Sequence, residues 1–266
     1  MGRPIDRINA MITRAKQHIQ DFHLGLQAFN DTNPYEFAVK DDTQTSQHVY
    51  YISKADCVPD SLTAIAADVI QNLRSPLDHI AYQLVLAARG GTEPDWLVYY
   101  PITREASDYK ATRSGKIKGV RQEVIDAIDA TEPYKGGKGH VLWQLNELNK
   151  LSKHQLLIGA GGFFSGVDVS GIWTRIHSGN EFGKVLAGFD FQSLFVLPAD
   201  KLFSLKVGDE LYREPIDLKV DYKMPFRADV AFDKPGVIEC EPALKTLQDM
   251  ANLISDIVPR LGQLLP

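Results

Sequence analysis

Between Gln71 and His79 the chain reads Gln-Asn-Leu-Arg-Ser-Pro-Leu-Asp-His, placing an amide, a guanidinium, a carboxylate and an imidazole in one short stretch. On a helix, Arg74 and Asp78 stand one turn apart, and so do Ser75 and His79. Arginine with histidine suits cleavage of RNA by its own 2′-hydroxyl. The imidazole moves protons near neutral pH, and the guanidinium fork binds a phosphate as negative charge develops on it. That chemistry needs neither metal nor cofactor; Arg74 and His79 are its expected catalytic residues, with Asp78 orienting. The same residues fit a plain structural role as well, with Arg74 and Asp78 as an ordinary i,i+4 pair and His79 packed beside Ile80.

A second polar concentration lies from His140 onward, where Asn146, Asn149 and Lys153 fall at i, i+3 and i+7 and Glu147, Lys150 and His154 form a neighbouring stripe. Asn146, Asn149, Lys153 and His154, together with Asn72, are the expected substrate-binding residues, His154 being a second acid or base. A solvated helix face opposite Leu142, Leu145, Leu148 and Leu151 is the alternative. Ahead of that helix, Lys135-Gly-Gly-Lys138-Gly offers backbone N–H groups and two cations, the makings of an anion cradle at Lys135 and Lys138. It lacks the Gly-Lys-Ser/Thr ending of a phosphate-binding loop, and Gly159 to Phe164 lacks the third glycine of a dinucleotide fingerprint. No HExxH, paired-cysteine or GxSxG pattern occurs, so no metal site is expected. Trp96, Tyr99, Tyr100, Tyr109, Tyr134 and Trp143 could stack bases, although core and loop-anchoring roles are commoner for such rings.

The elements that must position these groups follow from periodicity. Ile5, Ile8, Ile12, Ala15, Ile19, Phe22, Leu26 and Phe29 predict a long amphipathic helix. Tyr35–Lys40 and Gln47–Ser53 predict a β-hairpin. Helical spacing from Leu62 to Leu84, started at Pro59-Asp60-Ser61 and stopped at Gly90-Gly91, predicts a second helix, kinked or divided near Arg74 by Pro76. Thr92 to Lys118 reads as a loop with a strand at Leu97–Tyr100. Helices are expected over Val120–Ala130 and from His140 to about Ile158. Strand-like runs then follow at Phe163–Val169, Ile172–Ile176, Val185–Phe189, Leu194–Val196, Leu202–Val207, Ile216–Tyr222 and Arg227–Phe232. Pro242 opens a last helix with Leu244, Leu247, Met250, Ile254 and Leu261 on one face. The sum is an α+β protein: a mainly helical region over 1–158, an antiparallel β-rich region over 159–240, and a helix over 241–266 packing back on the core.

Arg74, four residues and His79 within a helix-rich region resemble the Arg-x(4–6)-His motif of the HEPN superfamily. Ser75 stands where that motif usually has Asn, Asp or His, and Pro76 falls inside it. The resemblance implies a helical domain that forms a homodimer, and in many members a metal-independent endoribonuclease of toxin or defence systems. On that basis Arg74 would contact the scissile phosphate and His79 would transfer protons. The stretches 142–154 and 205–213, taken with 72–79, also resemble a bacterial family, a likeness that implies no activity.

With 266 residues, 34 acidic against 29 basic side chains and a pI near 5.8, the chain does not advertise general affinity for polyanions, so an RNA site must be local. No uninterrupted apolar stretch is long enough to span a membrane and no export signal is evident. Cys57 and Cys240 are far apart, which fits a reducing compartment such as the cytoplasm. The expected function is a HEPN-type endoribonuclease or RNA-binding protein. The alternative is a noncatalytic dimeric binding or regulatory module whose β lobe takes a ligand or a protein partner.

Overall fold

The computed structural model describes residues 3–154, 160–168, 195–196, 203–216 and 226–266. The fold is α+β. In chain order the elements are α1 (Pro4–Asp31), β1 (Tyr35–Asp42), β2 (Gln47–Ala55), α2 (Asp60–Ala88), α3 (Ala106–Lys116), α4 (Gln122–Asp129), α5 (His140–His154), β3 (Ala160–Asp168), β4 (Phe195–Val196), β5 (Glu210–Pro215), β6 (Phe226–Lys234), β7 (Ile238–Pro242) and α6 (Ala243–Gly262). They divide into two compact units. One comprises Met1–Ala28, Pro59–Gly159 and Phe232–Pro266, and the other Phe29–Val58 and Ala160–Ala231. Among the described residues, no helix is long and apolar enough to cross a membrane.

In the first unit, α1 buries Ile8, Ile12, Ala15, Ile19, Phe22 and Leu26, the stripe that its spacing predicts. Its neighbours come close enough to require glycine. A Cβ on Gly25 would lie 2.6 Å from the Leu62 side chain, and one on Gly262 would lie 2.6 Å from Ile5. The central helix is α2, which packs against α5 and α6 and buries Val69, Ile70, Leu73, Leu77 and Ile80 completely. Each such side chain contributes roughly 1.5–3 kcal/mol.

Several expectations need correction. Of the kink or division expected near Arg74, division does not occur: the second helix runs as one element from Asp60 to Ala88 with Pro76 inside it. Its end is as expected: Gly90 and Gly91 take φ of 62° and 88°, and the Gly91 N–H donates back to the Leu86 carbonyl at 2.9 Å. The segment expected as a loop contains α3, and Leu97–Tyr100 pairs with no strand among the described residues. Leu202–Val207 reduces among described residues to a single bridge from Phe203 to Phe163. Strands β5 and β7 were not expected, and the run expected over Ile216–Tyr222 lies, beyond Ile216, outside the described residues. The runs Ile172–Ile176 and Val185–Phe189 and the end of the fourth helix beyond His154 lie outside the described residues.

In the second unit the hairpin pairs antiparallel from Tyr35↔Ala55 to Asp42↔Gln47, and β2 pairs with β5, giving the order β1-β2-β5. Tyr50, Ile52 and Leu205 form its described core. The Tyr50 hydroxyl donates to Glu214 Oε1 at 2.5 Å, which satisfies a carboxylate that is only 1% exposed. The second sheet has the order β4-β3-β6-β7.

Candidate functional site

Arg74 faces inward from α2 and is 6% exposed. Its Nε donates to Asn146 Oδ1 on α5 at 3.0 Å, and its Nη1 lies 2.5 Å from Asp78 Oδ1 as an ion pair rather than an aligned hydrogen bond. Asp78 also accepts the backbone N–H of Tyr100 at 3.0 Å. Tyr100 is itself buried, its hydroxyl in a 2.9 Å hydrogen bond with Thr131 Oγ1, and burial raises its pKa above the usual tyrosine range. Arg74 and Asp78 therefore join α2, α5 and the 96–100 segment.

His79 does not join them. Five residues of helix turn it about 140° from Arg74. It is exposed and makes no hydrogen bond or ion pair among the described residues. Within one chain the two residues of the expected catalytic pair thus lie on different faces of α2.

The expected binding residues are similarly scattered. The Asn72 side chain donates to the Asp68 carbonyl at 2.8 Å within its own helix. Asn146 is brought to Arg74 and also donates to Glu147, which pairs with Lys150 at 2.6 Å. Asn149 is buried, with Oδ1 lacking a hydrogen-bond partner among the described residues. Lys153 and His154 close α5, and their side chains lie outside the described residues.

The expected anion cradle is already filled. Every backbone N–H from Lys135 to Gly139 donates within the protein: Lys135 to Arg104, Gly136 to His140 Nδ1, Gly137 to Tyr134, Lys138 to Glu132 Oε2 and Gly139 to the Glu132 carbonyl. Lys138 Nζ pairs with Glu132 Oε1 at 3.0 Å, which together with the backbone bond holds that carboxyl below the usual glutamate range. Lys135 Nζ donates to the Gly236 carbonyl at 3.2 Å and lies over the Trp143 ring. The glycines serve packing, since a Cβ on Gly139 would stand 2.4 Å from the Thr131 carbonyl oxygen and one on Gly137 2.5 Å from that of Glu132. The run of glycine and lysine forms a closed turn and not the open anion cradle expected of it.

The structure assembles a different constellation nearby in sequence. From Leu97 to Tyr100 the chain alternates, with Leu97 68% and Tyr99 39% exposed while Val98 and Tyr100 are buried. Three cations sit on the outward rings. The Arg89 guanidinium is 5.0 Å and Lys118 Nζ 5.4 Å from the centre of Trp96, and Lys116 Nζ is 4.8 Å from that of Tyr99. Trp96 Nε1 donates to the Lys116 carbonyl at 3.3 Å, fixing the indole. Among the described residues none of these three cations pairs with a carboxylate, although Glu93 and Asp95 lie in the same loop. Sequence reasoning named Trp96 and Tyr99 but missed Arg89, Lys116 and Lys118, because α3 brings the lysines back from twenty residues away.

The chain matches no protein-family model, no curated protein and no solved structure. What the site can do is therefore argued from its own side chains.

Proposed function

We propose that the protein is a noncatalytic RNA-binding module that holds a single strand on the surface formed by Trp96, Tyr99, Arg89, Lys116 and Lys118. The observation that carries this reading is the pairing of the exposed Tyr99 ring and the half-buried Trp96 ring with cations that have no carboxylate partner among the described residues. Bases stack on aromatic faces whatever their sequence, and the neighbouring cations take the phosphates. Trp96 and Tyr99 are three residues apart on extended chain, within roughly 10 Å, a span of a few nucleotides. In an acidic chain this is the local basic surface that RNA binding requires. The choice of RNA over DNA comes from the HEPN resemblance. Arg74 and Asp78 serve as its support, being committed to Asn146 and to the Tyr100 backbone.

Fluorescence anisotropy with a labelled single-stranded RNA of mixed sequence tests the reading. Three phosphate contacts predict that affinity falls roughly twentyfold between about 50 and 200 mM salt. Tyr99→Ala and Lys118→Glu should each weaken binding about tenfold, while Lys16→Glu on α1 should not.

A second reading, the homodimeric HEPN-type endoribonuclease, is favoured by one observation: His79 offers an exposed imidazole with no partner among the described residues. It requires a second copy to bring a phosphate-binding cation opposite that imidazole. Fragments ending in a cyclic phosphate, formed in EDTA by wild type and not by a folded His79→Ala variant, would establish it in place of the first.

A further inference from the structure

A cavity of about 300 Å³ opens among α4, the turn after it, α5 and α6, all within the helical unit. Its accessible apolar lining is Ala127, Ala130 and Leu253, over the buried Leu142 and Ile257, and its polar lining comes from Thr131, Lys138 and Arg260. The Thr131 hydroxyl is already engaged, bonded to the Ile128 carbonyl at 2.7 Å and to the Tyr100 hydroxyl at 2.9 Å. A polar group placed against Thr131 would find little to bond there and would lose its hydration. The two cations are differently situated. Lys138 is 75% and Arg260 65% exposed at the side chain; Lys138 pairs with Glu132, and Arg260 pairs with the Asp256 carboxylate and donates from Nε to the Asp256 carbonyl one turn back. Exposed pairs of this kind are worth about 0–1 kcal/mol, so either cation can turn to another carboxylate at little cost.

These features point to an occupant with a charged head and an apolar body. At about 30 Å³ for each water-sized group, the cavity holds roughly ten non-hydrogen atoms. We propose that the cavity is a binding site for a small amphipathic carboxylate, its tail against Ala127, Ala130 and Leu253 and its head between Lys138 and Arg260. The inference does not rest on RNA binding.

Titration calorimetry with sodium octanoate tests it, using acetate, hexanoate and 1-octanol as companions. Saturable binding of octanoate is expected. Removing two methylenes, as in hexanoate, should weaken it about tenfold. Removing the charge, as in 1-octanol, or the cation, as in Arg260→Gln, should each cost roughly tenfold or more, the effect of losing a hydrogen bond to a charged group. Leu253→Trp, from a half-buried position on the cavity wall, should abolish binding; its fold is checked by circular dichroism, and Arg260→Gln stands alone if it does not fold. Lys245→Gln, at the other end of α6, should bind as wild type. Absence of octanoate binding, equal binding of octanoate and 1-octanol, or binding unaltered in folded Leu253→Trp or in Arg260→Gln would each overturn the proposal.

Discussion

The Asp78 carboxylate lies 2.5 Å from the Arg74 guanidinium and the same oxygen accepts the Tyr100 N–H at 3.0 Å, so one side chain ties a buried cation to the segment that displays Trp96 and Tyr99. The consequence for stability is direct. Arg74→Ala removes a cation that is 6% exposed and leaves both Asp78 and Asn146 without it. It should cost about 3 kcal/mol in urea unfolding, whereas His79→Ala, at an exposed position, should change stability by under about 0.5 kcal/mol. Equal effects of the two substitutions would contradict the assignment of Arg74 to the interior.

Asp78→Ala tests the link to the recognition segment. It leaves the Tyr100 N–H without its acceptor and the Arg74 guanidinium without its ion-pair partner, and should lower stability by about 2 kcal/mol. It should also weaken RNA binding several-fold although Asp78 touches none of the proposed ligand-binding cations except through that segment. Amide exchange is the more specific readout: the Tyr100 N–H should lose protection in this variant while the amides of α1 keep theirs.

How far the sequence carries can be judged around this segment. Leu97 to Tyr100 has a genuine period of two, with alternate side chains in and out, and yet it is no strand because the Tyr100 N–H goes to a carboxylate rather than to a neighbouring chain. The helix α3 was illegible for the opposite reason. In Ala-Ser-Asp-Tyr-Lys-Ala-Thr-Arg-Ser-Gly-Lys only Tyr109 is buried, so no apolar stripe marks it. It is held by polar bonds to a distant residue, Tyr109 and Arg113 both reaching Asp129, at 2.7 and 3.0 Å. The long helices α1, α2 and α6 were legible because each buries a continuous stripe, and the hairpin because its aromatic and β-branched runs flank a polar turn. The inward direction of Arg74 was not legible, since an i,i+4 pair with Asp78 reads the same whether it faces solvent or α5.

The turn from Thr131 to Gly139 gives a pH prediction. The Glu132 carboxyl titrates below its ordinary value because the Lys138 side chain and backbone N–H hold its charged form. Its contribution to stability is therefore complete above the unfolded value near 4.5 and is lost as pH falls through the lower folded value. Thermal midpoints of wild type and Glu132→Gln should differ at pH 7 and converge in strong acid. A constant difference across that range would refute the pairing.

Gly139→Ala tests the same turn sterically. The new methyl would stand 2.4 Å from the Thr131 carbonyl oxygen and 3.0 Å from that of Glu132, neither of which is the flexible end of a side chain. A loss of about 1–3 kcal/mol in denaturant unfolding is expected. Gly90→Ala has open space around it and only its positive φ against it, so it should cost less, about 1 kcal/mol.

On the proposed function RNA is bound on the Trp96 and Tyr99 surface and is not cut by Arg74 and His79. One experiment addresses both parts: labelled single-stranded RNA is incubated in EDTA at low salt with wild type, Lys118→Glu and His79→Ala, and anisotropy and fragment length are read from the same samples. Intact RNA is expected throughout, with binding by wild type and His79→Ala alike and a roughly tenfold loss with Lys118→Glu. Cleavage that disappears in His79→Ala, or binding that Lys118→Glu leaves untouched, would contradict the proposed function.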